Sequence, residues 1–162
     1  MLCSTPRQDC YSGYMTQIGF YHLTRTSLTE ALPMLLTRTL DSGQKAVVWC
    51  TDKPALDELD KTLWQIATPR WLPHGSAGIA CPDLQPIWLS TGDDCPNEAR
   101  FLFLTQNRHC ADPARFERIF DLFDGHDESA VTAARARWAQ AHKAGHDLAY
   151  WRQEDKGWKR AR

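Results

Sequence analysis

No cysteine of this chain stands in a C-x-x-C pair, no apolar run approaches the roughly 18 to 20 residues of a membrane span, and no glycine-rich loop leads from a strand-like stretch into a helical one. Each absence removes a class of function. Cys3, Cys10, Cys50, Cys81, Cys95 and Cys110 are scattered, with no basic stretch, apolar core and small-residue cleavage site ahead of them, so reduced thiols in a cytoplasmic protein are expected. A mixture of Cys81, Cys95, Cys110 and His109 has the spacing of no compact zinc site, and no metal is expected. Without a helical span, a soluble protein is expected.

Nucleotide and acyl chemistry fare no better. The glycine and lysine of "DSGQKAV" lie between a helix and a strand, whereas a phosphate cradle runs from strand to helix. The serine of "HGSAG" is not in G-x-S-x-G and sits in a proline-bounded loop. Asp93, Asp94 and Glu98 of "STGDDCPNEAR" read as a solvated loop between strands rather than a divalent-metal site. No cofactor is called for, and catalysis has no support.

The chain has 162 residues, 43% of them hydrophobic and 24% charged, the balance of one globular domain. Its net charge of -1 conceals an asymmetry, because residues 129–162 hold eight Lys/Arg against three Asp/Glu. That basic end also holds three tryptophans, and nucleic acid, an acidic protein segment and plain solvent compete for it.

The first fourteen residues are polar and aperiodic, and "MTQIGFYHL" makes Met15 a natural start, so residues 1–14 are expected to be a poorly ordered or misassigned extension. "QIGFYHL" reads as a strand. Leu28, Leu32, Leu35, Leu36 and Leu40 follow at helical spacing behind Ser27 as N-cap, with Pro33 predicting a later start or a kink. "KAVVWC" reads as a strand buried on both faces, and "TDKPALDELDKTLWQI" as a helix capped by Thr51 or Asp52 with Pro54 at its start. After the loop "PRWLPHGSAG" come strands "PIWLS" and "RFLFLTQ", then helices over "DPARFERIFDLF" and "SAVTAARARWAQAHKAGHD". Strands alternating with helices predict an α/β fold: a single-domain, open, mostly parallel sheet flanked by helices, like a mononucleotide-binding domain without its phosphate loop. The domain is placed at 15–150, and residues 151–162 are expected to be a basic tail.

Two surface features carry information. Trp71, outside any periodic element, is expected to be exposed; Trp64 continues a leucine face and reads equally as core or as the second half of an exposed patch. On the last helix Val131, Arg135, Trp138 and His142 fall in a stripe about 60° wide, with Ala130, Ala134 and Ala141 beside it to let the helix approach the sheet. An aromatic side chain bearing a nearby carboxylate would use Arg135 and Trp138 together.

"IGFYHL", "SGQKAVVWCTD", "LDELDKTLWQ", "WLPHGSAG", "PIWLS", "FLFLTQ" and "SAVTAARARWAQAHKAGHDL", in that order and spacing, resemble the chi subunit of bacterial DNA polymerase III holoenzyme. The resemblance implies a noncatalytic clamp-loader accessory that binds the acidic C-terminal tail of single-stranded DNA-binding protein, ending in Pro-Phe, and touches DNA only indirectly. The family's tail-binding arginine and its aromatic neighbour fall on Arg135 and Trp138, and a further basic position falls on His142. Another falls on Ala139, where Lys143 and Arg137 stand near to supply the charge. Contacts to the psi subunit, or to another replisome or repair partner, fall on Trp64 and Trp71. The rival readings are a nucleotide-binding α/β enzyme and a direct single-strand binder.

Overall fold

The computed structural model describes residues 15–66 and 71–162; the expectations for residues 1–14, and Cys3 and Cys10 with them, lie outside the described residues. Eight strands form one sheet in the order β3-β4-β2-β5-β6-β1-β7-β8. These are β1 (Gln17–Leu23), β2 (Ala46–Trp49), β3 (Gly75–Ser76), β4 (Ile87–Ser90), β5 (Phe101–Leu104), β6 (Arg118–Asp124), β7 (Asp147–Glu154) and β8 (Gly157–Arg160). Every neighbouring pair is parallel except β7 and β8. Three helices flank it: α1 (Leu28–Asp41), α2 (Lys53–Gln65) and α3 (Glu128–Lys143).

Side chains that alternate along each strand feed two cores, one on each face of the sheet. Tyr21, Val48, Leu89, Phe103 and Leu122 meet the leucines of α1 and α2 on one face. Phe20, Val47, Trp49, Leu102 and Ile119 meet α3 and the loops after β4 and β5 on the other. Because both faces are covered, the central strands read as unbroken apolar runs.

The helix starts follow their sequence signals. Ser27 precedes α1, its backbone N–H donating to Glu30 Oε2 at 2.9 Å, and Asp52 caps α2 by accepting from the Ala55 amide at 2.9 Å. The helix does not wait for Pro33, which is buried inside it. Asp127 caps α3, accepting from the Ser129 amide at 2.9 Å.

Two expectations are corrected. "DPARFERIFDLF" is not a helix: after a single 3-10 turn at Pro113–Arg115, β6 runs between β5 and β1. Phe116, Ile119, Phe120 and Phe123 have helical spacing, but Ile119 and Phe123 belong to the α3 core while Phe120 and Leu122 belong to the other, which is the period of a strand. Nor does the domain stop at residue 150. β7 crosses that boundary and β8 folds back on it, with Gly157 opening β8 after the turn at φ 112°, a conformation that favours glycine. Trp151 and Trp158 serve the fold, lying 5.9 and 5.0 Å from the Tyr21 ring.

Candidate functional site

Small side chains set the position of α3. Ala130 and Ala134 are buried against the sheet, so the helix lies close to it and Arg135 and Trp138 emerge along its edge. Between that edge and β7 opens a hollow of about 430 Å³, within the roughly 300–1,000 Å³ range of small-ligand sites. Val131, Arg135 and Trp138 form its helical wall. Phe20, His22, Phe123 and Tyr150 form its floor, and Arg152, Ala161 and Arg162 the opposite wall.

The floor is aromatic and ordered by ring contacts. Trp138 packs on Phe20 with centroids 5.1 Å apart and meets Tyr150 edge-on at 6.4 Å, while His22 stacks on Phe123 at 5.0 Å. His22 Nδ1 is hydrogen-bonded to the Tyr150 hydroxyl, and its Nε2 is buried against the backbone of Gly125. Burial lowers the His22 pKa, and Arg152, His126 and Arg135 add to that by repulsion against a Gly125 backbone bond that raises it. Burial raises the Tyr150 pKa, which the same two arginines oppose. The backbone of Gly125 comes so near this imidazole that a Cβ there would lie 2.2 Å from Nε2. Only glycine fits.

Val131, Arg135 and Trp138 are thus brought together, whereas His142 and Lys143 are exposed in the last turn of α3 and do not line the hollow. The Lys143 charge complements the carbonyl end of the helix. Arg137 is not available either: its Nε and Nη2 grip the buried Asp121 carboxylate at 2.6 and 2.9 Å. His22, Tyr150, Arg152 and Arg162 were missed by reading α3 alone. Alternation in "QIGFYHL" and "DLAYWRQ" puts Phe20 with His22 and Tyr150 with Arg152 on single faces, but only the parallel register Phe20↔Tyr150 and His22↔Arg152 joins them.

Far across the sheet, Trp64 and Trp71 are 56% and 49% exposed with ring centroids 5.6 Å apart, which decides the open question about Trp64. Trp64 also packs at 5.0 Å on His74, a buried residue held by the Leu72 carbonyl at 2.8 Å and Asp60 at 3.1 Å. His74 thereby backs the Trp64 side of the patch.

The place where a nucleotide would be held is occupied by the protein itself. Gln153 Oε1 accepts from the amides of Thr24, Arg25 and Thr26 at 2.9, 2.9 and 3.3 Å, and Glu30 takes that of Ser27. These four N–H groups follow β1 and open α1, where a phosphate cradle would need them free. A hollow of about 190 Å³ beside them includes the carboxylate residue Glu58. The acidic loop is likewise used internally, Asp93 pairing with Arg108 at 2.7 Å and Asp94 accepting from Trp88 Nε1 at 3.2 Å. Among the described residues no cluster of His, Cys, Asp and Glu could hold a metal, and no helix is long and apolar enough to cross a membrane.

Over residues 15–149 the sequence matches the family described as DNA polymerase III chi subunit, HolC. The chain belongs to that family. It is 30% identical over 91 residues to a probable DNA polymerase III subunit chi of Rickettsia prowazekii (strain Madrid E), a match spanning 56% of this chain and 55% of that one. It is 29% identical over 133 residues to a DNA polymerase III subunit chi of Haemophilus influenzae (strain ATCC 51907 / DSM 11121 / KW20 / Rd), over 80% of this chain and 92% of the other. The family match takes in Arg135, Trp138 and the Trp64–Trp71 patch and stops before Tyr150, so this chi-family chain completes its hollow with residues beyond the matched segment.

Proposed function

We propose that this chi-family protein is a noncatalytic, cytoplasmic accessory of the DNA polymerase III clamp-loader assembly that links it to single-stranded DNA-binding protein by gripping that protein's acidic C-terminal tail. One observation carries the reading: the Arg135 guanidinium, without an ion-pair partner among the described residues, lines a hollow with an aromatic floor beside Trp138. A peptide ending in an aromatic residue presents a ring and a carboxylate a few ångströms apart, and both find partners there. The Trp64–Trp71 patch is a docking surface for the psi subunit or another replisome or repair partner, since exposed tryptophans side by side are the residues that anchor interfaces.

The occupied amides after β1 argue against nucleotide chemistry, and a hollow of about 430 Å³ suits a short peptide end, whereas a polyanion favours a long basic groove. Binding of a peptide ending in Pro-Phe tests the reading. Arg135→Ala is expected to cost about 2–5 kcal/mol of affinity, and Arg135→Lys to restore only part of it, because an ammonium lacks the planar fork. Amidating the peptide's terminal carboxylate should mimic the alanine variant, and the two changes combined should add little. Fully additive losses would mean that Arg135 and the carboxylate do not meet.

A further inference from the structure

The hollow has two basic walls, and the second is built from residues outside the segment matched to the family. Its position is set by backbone bonding: β7 runs parallel to β1 with His22 opposite Arg152, and the Tyr150 amide donates to the Arg162 carbonyl at 3.1 Å while the Ala161 amide donates to the Tyr150 carbonyl at 2.8 Å. On the reverse face Trp151 and Trp158 pin the hairpin to Tyr21. The wall is a strand pair within the sheet.

Charge pairing on the hairpin is selective. Lys159 lies 3.4 Å from Glu154, Asp155 pairs with Arg25 from the loop after β1, and on the far side of α3 Arg137 is committed to Asp121. Arg135, Arg152 and Arg162 have no carboxylate within ion-pair distance among the described residues, although all three line one hollow. Arg135 and Arg152 also act together on His22 and Tyr150 between them. One ligand carboxylate at Arg135 leaves the guanidiniums of Arg152 and Arg162, on the opposite wall, available to a second.

We propose that Arg152 and Arg162 form a second carboxylate station, which binds acidic side chains of the same peptide whose terminal carboxylate lies at Arg135. The inference rests on the tail-binding reading and adds its specificity: the ligand carries acidic residues ahead of its aromatic end, and the two walls hold it from both sides. With a rise of about 3.3 Å per residue, an extended peptide brings an acidic side chain to the far wall within a few residues of its end.

The test measures affinity of the full chain for a labelled peptide with several aspartates ahead of a terminal Pro-Phe, and for the same peptide with asparagine at those positions. The double variant Arg152→Ala, Arg162→Ala should bind the aspartate peptide about three- to tenfold more weakly, as expected of two partly exposed ion pairs, and the asparagine peptide as wild type does. Lysine at both positions should recover most of the loss. Equal affinity of wild type and double variant for the aspartate peptide overturns the second station alone, provided Arg135→Ala still weakens binding. No binding by wild type overturns both readings. Tighter binding of oligodeoxythymidylate than of peptide, lost in the double variant, would reassign the wall to nucleic acid and overturn the proposal.

Discussion

Arg137 holds Asp121 by two parallel bonds, Nε to Oδ2 at 2.6 Å and Nη2 to Oδ1 at 2.9 Å, with the carboxylate side chain only 3% exposed. Two residues earlier on the same helix, Arg135 faces the open hollow. A helix turns about 100° per residue, so the two guanidiniums point some 200° apart and do different work. One joins α3 to the middle strand β6; the other has no carboxylate partner among the described residues.

Arg137→Ala should therefore destabilise the fold by about 3–5 kcal/mol, because it leaves the Asp121 carboxyl buried without its partner. Arg135→Ala should shift stability by less than about 0.5 kcal/mol. Urea unfolding of both variants gives the comparison. Equal, small losses would show that the buried pair contributes little and that charge on α3 is not divided in this way.

The Trp64–Trp71 patch makes an opposite pair of expectations. Since both rings are about half exposed, Trp71→Ala should move the melting temperature by no more than about 2 °C, while weakening capture of the psi subunit or its substitute by about 2 kcal/mol or more. Peptide binding at α3 should be unchanged, because the two surfaces share no residue. A large drop in melting temperature would make Trp71 a packing residue and remove the docking patch.

How far the sequence could be read depended on the range of the contacts involved. Caps and periodicity are local, so Ser27, Asp52 and the Leu56, Leu59, Leu63 face of α2 were legible, as was the stripe that joins Arg135 to Trp138. β6 was misread because Phe116, Ile119, Phe120 and Phe123 satisfy a helical period equally well, and only burial on both faces separates the two. The far wall was invisible for a different reason. Arg152 looks like one charge in a basic tail until β7 is placed beside β1, and that pairing joins residues about 130 positions apart through contacts no local pattern encodes.

Raising salt from 50 to 500 mM should weaken binding of the acidic peptide and leave a residue of affinity. Ion pairs at the walls are screened over about 8 Å at physiological ionic strength, whereas contact with Phe20 and Trp138 is apolar and is not. Fluorescence anisotropy across that range checks it. Affinity independent of salt would contradict any carboxylate pairing in the hollow.

Acid should act on folding and on binding in opposite directions through His22. Its pKa is lowered from 6.5, chiefly by burial, so as pH falls through 6.5 the unfolded chain takes up a proton that the folded chain resists, and stability falls. A bound acidic peptide reverses the local field. Arg135, Arg152 and His126 disfavour the imidazolium in the empty hollow, and carboxylates lying against those arginines offset their repulsion, so peptide binding raises the pKa of His22. Affinity should then rise as pH falls from about 7 toward 5, ending only near pH 4 where the peptide's own carboxylates protonate. Calorimetry in buffers of different ionisation enthalpy should find proton uptake on binding by wild type and less by His22→Gln, a variant that keeps a polar group opposite the Tyr150 hydroxyl. Proton release on binding, or uptake undiminished in His22→Gln, would show that His22 does not feel the ligand and that the peptide lies elsewhere on α3.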